Sequence, residues 1–301
     1  MVGSEKMNKE AVPRQEKLIK ERDWDILIIL DACRYDVFLS IYEEFLKGDL
    51  TRVKSPAAAT EPWLNSVFEN NYSDTIYVSG NPHVSQIGKK NFRKIFFKVE
   101  DVWDYGWEKI NGIPTVPPQN ISQKLIENLV KFPEKKIIAH YMQPHAPYVG
   151  NEKLALGGSQ QWLRKRAKEE GILGILNSKI PKKAKNIIGS SLLGKAIDRI
   201  GIKMSKNEWN KDPIGMKDAI DRYGLNKVKR AYQENLKLVL NDVKSNLEKV
   251  LRFKEKVVIS SDHGDLFGEK GLYGHPKDSG YNQHPELYHV PWLEVENDEF
   301  R

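Results

Sequence analysis

Two short apolar runs in this chain each stop abruptly at residue types that bind metals. Residues 26–30 are all aliphatic and lead into Asp31, and the apolar run that begins at residue 257 leads into Asp262 and His263. Runs this short and this apolar are typical of strands buried on both faces of a parallel sheet. Because ligands bind at the carboxyl ends of strands in open α/β sheets, the sequence predicts that Asp31, Asp262 and His263 share one rim.

The chemistry of these three side chains is that of a divalent-metal site. Carboxylate oxygens and an imidazole nitrogen are suitable ligands for Zn²⁺ or Mn²⁺. Gly264 follows directly, and its missing side chain leaves the backbone free to turn away from the site. The alternative for Asp31 is that it only caps the helix that follows, which is a common role for aspartate.

Strands and helices alternate along the rest of the sequence. The patterns predict strands over 25–30, 50–54, 74–79, 136–141, 257–261 and 290–295. They predict helices over 35–47, 61–70, 121–132 and 226–251, with a short helix from Pro13 and with Asn120 as the cap of the helix over 121–132. This alternation indicates the α/β class, with a mainly parallel sheet covered by helices on both faces.

Length and composition limit the protein classes further. A chain of 301 residues with 40% hydrophobic residues can bury the core of one large α/β domain. No stretch approaches the ~20 apolar residues of a membrane helix and the charged N-terminus has no hydrophobic signal core, so we expect a cytoplasmic protein. The single cysteine excludes an internal disulfide. No Gly-x-Gly-x-x-Gly or Walker-type loop follows a strand, which argues against a dehydrogenase or a kinase.

The positive charge of the chain is concentrated in one segment. Residues 151–215 carry 14 Lys and Arg against 6 Asp and Glu, a net +8, whereas the whole chain carries +7. We interpret residues 150–215 as a basic, mostly helical insertion that caps the rim. Its charge favours an anionic substrate, or peripheral contact with anionic lipid or another polyanion. The alternative is a solvated helical face, and the few interleaved aromatic residues give no prediction of specific nucleic-acid binding.

The strand ends belong to a longer series of motifs that runs from residue 25 to residue 293. The series comprises the strand ending at Asp31, Ser55-Pro-Ala-Ala-Ala-Thr-Glu-Pro-Trp63, His140-Tyr-Met-Gln-Pro-His-Ala-Pro-Tyr148, Asp262-His-Gly264 with Tyr273-Gly-His275, and Val290-Pro-Trp292. In order and residue type this series resembles the alkaline phosphatase superfamily, on the sulfatase-like branch. The resemblance implies a three-layer α/β sandwich formed by residues 23–301 as a single hydrolase domain, after a polar N-terminal arm over 1–22.

The resemblance also implies a nucleophile at a helix N-terminus after the first metal-binding acid, and Thr60 occupies that position. A hydroxyl there is close to the positive end of the helix dipole and to free backbone amides that can hold phosphate oxygens. Two alternatives stay open: Thr60 only caps its helix, or Ser55 is the nucleophile. Sulfatases use a formylglycine made from the cysteine of a Cys-x-Pro-Ser-Arg type motif. Cys33 does not lie in such a motif, so we expect phosphorus chemistry and read Cys33 as a small buried residue.

The metal ligands implied by the resemblance come from both ends of the chain. They are Asp31, Thr60, Asp262 and His263, with His284 as a further candidate. The ion is expected to be Mn²⁺ or Zn²⁺, with Mg²⁺ or Ca²⁺ as alternatives. Gln143 stands where two-metal phosphatases usually carry an aspartate, which favours a one-metal site similar to that of phosphoglycerol and phosphoethanolamine transferases.

Other residues of the motifs are candidates for binding and protonating the substrate. By resemblance, His145 and His275 orient the substrate or serve the leaving group. Arg34 is suited to bind a nonbridging oxygen in bidentate fashion, and its alternative is a salt bridge to Asp36. His140 lies inside a predicted strand and is interpreted as a core histidine.

Together these features predict a metal-dependent enzyme that hydrolyses or transfers phosphate mono- or diesters through a threonine nucleophile. The first alternative is a sulfatase or phosphonate hydrolase on the same fold. The second is a non-catalytic relative that binds anions.

Overall fold

The computed structural model describes residues 12–21, 23–69, 71–85, 92–150, 154, 215–275 and 284–295. The strands are β1 Ile26–Asp31, β2 Asp49–Lys54, β3 Tyr72–Ser79, β4 Phe96–Asp101, β5 Glu108–Ile110, β6 Ile113–Thr115, β7 Lys136–Pro144, β8 Val257–Ser261, β9 Leu266–Phe267, β10 Tyr273–Gly274 and β11 His289–Val295. The α-helices are α1 Gln15–Glu21, α2 Tyr35–Ile41, α3 Thr60–Val67, α4 Val102–Tyr105, α5 Pro118–Lys131, α6 Met216–Tyr223, α7 Leu225–Leu251 and α8 Pro285–Tyr288.

The main sheet has seven strands in the order β2-β11-β8-β1-β7-β3-β4. Strand β11 runs antiparallel to both of its neighbours, and the other pairs are parallel. The predicted α/β class with a mainly parallel sheet is therefore confirmed. The strands of the two motifs that end in acidic residues, β1 and β8, lie side by side at the centre.

The two faces of β1 belong to two different hydrophobic clusters, because successive side chains of a strand point to opposite faces. Ile26, Ile28 and Leu30 pack in a cluster with side chains of α2, α5 and α7. Leu27 and Ile29 pack in a cluster with side chains of α1 and α3. Burial of each such side chain contributes about 1.5–3 kcal/mol to folding, which explains why the central strands are apolar throughout.

Some element boundaries differ from the sequence prediction. Strand β4 was not predicted, and the helix predicted over 35–47 ends at Ile41 before a turn of 3₁₀-helix. Helix α5 begins at Pro118, so the prediction that Asn120 caps this helix is wrong. The side chain of Asn120 instead donates to the carbonyl oxygen of Gly106 at 3.0 Å, a tertiary contact that no local pattern encodes.

The basic insertion predicted over 150–215 lies almost wholly outside the described residues, which include only its ends and Leu154. Helix α6 follows it and contacts β9 and β10. Among the helices of the described part of the chain, none combines the length and apolar character needed to cross a membrane.

Candidate active site

The site lies where β1 and β8 end beside the start of α3. Leu30 pairs with Ser261 in the sheet, so the residues that follow them, Asp31 and Asp262, emerge next to each other. The backbone N–H of Ala32 donates to Asp262 Oδ1 at 3.1 Å and so holds the two strand ends together. Both carboxylates are almost fully buried. This geometry agrees with the prediction from the sequence that Asp31 and Asp262 lie on the same rim of the sheet.

Thr60 is the first residue of α3, and its hydroxyl is directed into the site. Its Oγ1 donates to Asp262 Oδ2 at 2.7 Å, and its side chain is buried. The cap position of α3 is occupied by Ala59, so Thr60 does not have the capping role considered as its alternative. Ser55, the competing hydroxyl, contacts main-chain atoms instead: its Oγ lies 3.0 Å from the carbonyl oxygen of Ala57 and 2.5 Å from that of Asp262, and it accepts from the backbone N–H of Ala57 at 3.4 Å.

His263 directs a lone pair at the two carboxylates. Its Nδ1 lies 2.7 Å from the carbonyl oxygen of Gly264, which can only accept, so Nδ1 carries the hydrogen. Burial lowers the pKa of His263 well below its ordinary value, so the ring is neutral and Nε2 is a bare acceptor. Nε2 lies 3.4 Å from Asp262 Oδ2 and 3.7 Å from Asp31 Oδ1, and it has no hydrogen-bond partner.

Asp31 is held by a residue that the sequence reasoning did not identify. Asn81, just after β3, donates through Nδ2 to Asp31 Oδ2 at 2.8 Å, and the same nitrogen lies 3.4 Å from Thr60 Oγ1. Asp31 Oδ1 is buried without a partner. Burial, followed by the charge of Asp262, raises the pKa of Asp31 well above its ordinary value. Within the described residues, these two adjacent buried carboxylates therefore have no cationic side chain paired with them.

His140 was interpreted as a satisfied core histidine, and this interpretation is wrong in one respect. The ring is fully buried, but its Nε2 has no hydrogen-bond partner and lies 3.8 Å from Asp262 Oδ2. Its Nδ1 lies 2.9 Å from the hydroxyl of Tyr77. Burial lowers the pKa of His140 to about 4, so this ring is also neutral at pH 7. Its position in mid-strand gave no sequence signal for this contact.

These groups fit a divalent cation. Single ligand atoms of Asp31, His140 and Asp262 all lie within 4.8 Å of one another. Three buried atoms here have no hydrogen-bond partner, whereas buried polar atoms are normally satisfied. His140 Nε2 and His263 Nε2 lie 3.8 and 3.4 Å from Asp262 Oδ2, and Asp31 Oδ1 lies 3.7 Å from His263 Nε2. A tetrahedral ion with bonds of about 2.0–2.2 Å separates its ligands by roughly 3.3–3.6 Å, close to the measured spacings.

A second group of side chains lies beside His263. His275 contacts the ring of His263, with ring centroids 4.5 Å apart, and its Nδ1 lies 3.2 Å from Asp265 Oδ1. Its Nε2 lies 3.4 Å from Nε2 of His145. Burial raises the pKa of Asp265, but the charge and hydrogen bond of His275 outweigh it and lower the pKa overall. Asp265 thus orients His275, a role that the sequence reasoning did not assign.

His145 is presented by the loop that follows β7. Its Nδ1 lies 2.7 Å from the carbonyl oxygen of Ala146 and therefore carries the hydrogen, so Nε2 faces His275 as an acceptor. Burial, and then the neighbouring His275, lower the pKa of His145 to about 4. Asn235 on α7 holds this loop by donating to the carbonyl oxygens of His145 at 3.2 Å and Pro147 at 3.0 Å.

Arg34 is engaged by acidic side chains. Its Nε and Nη2 bond to both carboxylate oxygens of Asp36, at 2.9 and 2.7 Å, and its Nη1 lies 2.6 Å from Glu269 Oε1. The salt-bridge alternative describes this geometry better than a substrate clamp. His284 lies at the cap of α8, with Nδ1 3.9 Å from Glu286 Oε2, and it is not a member of the cluster formed by Asp31, His140 and Asp262.

The comparisons with known proteins concern the fold. No protein-family model matches the sequence, and no curated protein matches it. The chain is similar to the C-terminal periplasmic domain of phosphoethanolamine transferase EptC from Campylobacter jejuni, with 15% identity and a TM-score of 0.47, over 91% of this chain and 79% of that one. It is similar to the corresponding domain of EptC from Escherichia coli in complex with Zn, with 13% identity and a TM-score of 0.42, over 91% and 73% of the two chains.

A sulfatase structure is also similar. The chain has 14% identity to a putative sulfatase from Bacteroides thetaiotaomicron, with a TM-score of 0.45, over 90% of this chain and 64% of that one. Likenesses this distant carry no argument about activity, so the chemistry must be inferred from the residues of the site.

Proposed function

We propose that this protein is a metal-dependent enzyme that hydrolyses or transfers phosphate esters, with Thr60 as the nucleophile. The observation that carries the proposal is the hydrogen bond from Thr60 to Asp262 next to three buried, partnerless ligand atoms. A site built only for stability would not leave two carboxylates and two neutral imidazoles facing one another without positive charge. Asp31, Asp262 and His263 would hold the ion together with Thr60, and His140 lies within reach.

The chain supplies the groups for an in-line displacement. A bound divalent cation provides positive charge that lowers the pKa of a nearby hydroxyl and neutralises phosphate oxygens. Thr60 gives its proton to Asp262 Oδ2, to which it is already hydrogen-bonded, and its Oγ1 forms the new bond to phosphorus as the bond to the leaving oxygen breaks. Water or an acceptor alcohol then takes the phosphoryl group from Thr60 and restores the hydroxyl.

The pair formed by His145 and His275 is suited to act on the leaving group, on the side of phosphorus opposite to Thr60. His275 is oriented by Asp265, and its Nε2 lies 3.4 Å from the accepting Nε2 of His145, so His275 is the ring suited to pass a proton to the leaving oxygen while His145 helps to position it. The first turn of α3 adds backbone amides and the positive end of a helix dipole. Arg34 has no part in this scheme, because its guanidinium is bonded to Asp36 and Glu269.

Sulfate esters are the second candidate class, since the same charges also suit a sulfuryl group. The environment of Cys33 favours phosphate. Its side chain is fully buried, and burial together with nearby acidic groups raises the pKa of the thiol well above its ordinary value. A buried, protonated thiol is inert. Among the described residues, it is the hydroxyl of Thr60 that donates to the carboxylate of Asp262.

The test is an ester panel. Turnover of p-nitrophenyl phosphate, its bis-ester and p-nitrophenyl sulfate would be measured with Mn²⁺, Zn²⁺, Mg²⁺ or EDTA for wild type and Thr60→Ala. The control is Thr75→Ala, which removes another fully buried threonine, one whose hydroxyl bonds to Asp74. We expect metal-dependent turnover that is lost only in Thr60→Ala. Turnover that survives Thr60→Ala would reject the nucleophile, and binding of the esters without turnover would favour the non-catalytic alternative.

A further inference from the structure

The N-terminal helix reaches the candidate site through one side chain. Gln15, at the start of α1, is fully buried. Its Nε2 donates to Ser260 Oγ at 2.7 Å and to the carbonyl oxygen of Ser261 at 2.6 Å. Its Oε1 accepts from Trp63 Nε1 at 2.9 Å. A single amide therefore joins the end of β8 to α3.

The orientation of this amide is determined by its partners. The indole N–H of Trp63 can only donate and the carbonyl of Ser261 can only accept, so the amide oxygen faces α3 and the amide nitrogen faces β8. Ser260 gives its own hydrogen to the carbonyl oxygen of Pro291 at 2.6 Å, which leaves its Oγ as an acceptor for Gln15. The amide of Gln15 cannot be flipped without losing buried hydrogen bonds at both of its ends.

The link from Ser261 through Gln15 to Trp63, called the Gln15 bridge, joins the same two elements as the hydrogen bond of the proposed nucleophile. Thr60 and Trp63 lie about one turn apart on α3, on the same side of the helix, and Ser261 and Asp262 are consecutive at the end of β8. Thr60 bonds to Asp262 directly, whereas Trp63 bonds to Ser261 through Gln15. The two links lie about one turn apart on α3, so together they restrict its rotation against β8 more than either link alone.

Core packing holds helix α1, which carries Gln15, in a fixed position. Ile19 is fully buried, and Trp24, which follows the helix, is 1% exposed. Both belong to the cluster that includes Trp63 and Leu27 of β1. Trp24 Nε1 also donates to the carbonyl oxygen of Ile19 at 3.2 Å. The position of Gln15 is therefore set by the core and not by the site.

We infer that Gln15 is a positioning residue for the reaction: it holds α3 against β8 so that the Thr60 hydroxyl stays on Asp262. The inference rests on the proposed role of Thr60. It makes the N-terminal helix a part of the active-site scaffold, although no atom of that helix carries out chemistry. A misplacement of about 1 Å at a reacting group can cost about 100-fold in rate, so loss of this bridge is expected to appear in catalysis.

The test compares Gln15→Leu with Asn128→Leu. Gln15→Leu keeps a similar volume but removes both ends of the bridge. Asn128 on α5 is also almost fully buried, and its side chain bonds to Lys98 and to the carbonyl oxygen of Lys124, so its loss controls for general destabilisation. Crystal structures, melting temperatures, and kcat and KM for the preferred ester would be measured for both variants. Gln15→Glu serves as a second variant if Gln15→Leu does not fold, because a carboxylate still accepts from Trp63 but cannot donate to Ser261.

We expect the Thr60–Asp262 hydrogen bond to be broken in the Gln15 variant and kept in Asn128→Leu. If the Gln15 variant and Asn128→Leu lose a similar amount of melting temperature, kcat should still fall by about 10- to 100-fold only in the Gln15 variant, with little change in KM. An intact Thr60–Asp262 bond and a kcat within about twofold of wild type would overturn the inference. If the wild type turns over no ester, the proposed function fails, while the crystal structures still decide whether Gln15 positions α3.

Discussion

Thr60 Oγ1 lies 2.7 Å from Asp262 Oδ2, a hydrogen bond between residues that are 202 positions apart in the chain. The contact exists because β1 and β8 are neighbours in the sheet and α3 begins beside their carboxyl ends. It places a hydroxyl on a carboxylate that also faces His140 and His263. Four residues from three parts of the chain thereby meet around the buried carboxylate of Asp262.

The first prediction concerns metal binding and stability. Asp31→Asn removes one of two adjacent buried charges, so we expect the metal-free variant to be at least as stable as metal-free wild type. The same change should abolish stabilisation by metal, which for wild type is about 2.7 kcal/mol at a free ion concentration 100 times the Kd. Thermal unfolding with EDTA, Mn²⁺ or Zn²⁺ checks both expectations. A metal-free variant that melts well below metal-free wild type would show that Asp31 stabilises the fold without an ion.

The second prediction concerns pH. The pKa of His145 is lowered to about 4 in the folded protein, whereas the unfolded side chain titrates near its ordinary 6.5. Protonation therefore favours unfolding, so the contribution of His145 to stability is complete above pH 6.5 and is lost as the pH falls toward 4. The full effect is at most about 3 kcal/mol. Denaturant unfolding of metal-free wild type and His145→Gln across this range should give curves that converge at low pH. Parallel curves would contradict the prediction.

The third prediction concerns the loop that carries His145. Asn235→Ala removes the side chain that bonds to the carbonyl oxygens of His145 and Pro147 and accepts from Val149 N at 2.8 Å. We expect turnover to fall by about 10-fold or more for esters with poor leaving groups and much less for p-nitrophenyl esters, because only the former need a positioned acid. Asn246→Ala is the control on the same helix, where Asn246 donates to Asp242 O. Equal losses for all leaving groups would mean that Asn235 serves the fold alone.

The fourth prediction concerns Arg34. Its side chain is 5% exposed and is bonded to Asp36 and Glu269, so Arg34→Gln should lower the free energy of unfolding by about 2 kcal/mol. We expect KM for phosphate esters to change little, because the guanidinium is already occupied by acidic side chains. Urea unfolding and steady-state kinetics on the same preparation separate the two effects. A large rise in KM with unchanged stability would restore Arg34 as a substrate ligand.

The sequence predicted the central strands and the acidic rim because these depend on local chemistry. An uninterrupted apolar run as short as that of β1 is typical of a strand buried on both faces of a parallel sheet. The positions of Asp31 and Asp262 then follow from the ends of their strands. Thr60 was identified through the family resemblance, which implies a nucleophile at a helix N-terminus, and residues 61–64 read as the start of that helix.

Residues whose role depends on tertiary contact were not found. His140 lies in mid-strand among apolar residues, and nothing in its neighbours reveals that Nε2 faces Asp262. Asn81 and Asp265 were visible only as polar residues after strands, and Gln15 as part of a polar N-terminal arm. Each acquires its role from a partner far away in the sequence, as Gln15 does from Ser261 at a separation of 246 residues.

Chemical trapping of the nucleophile tests the proposed role of Thr60 most directly. The metal-loaded protein would be mixed with its preferred p-nitrophenyl phosphate ester, quenched in acid within a single turnover, digested, and analysed by tandem mass spectrometry. We expect the mass of one phosphoryl group on Thr60, absent when EDTA is added and absent in Thr60→Ala. A steady release of p-nitrophenol with Thr60 unmodified at every quench time would exclude Thr60 as the nucleophile and assign the attack to water or to another side chain.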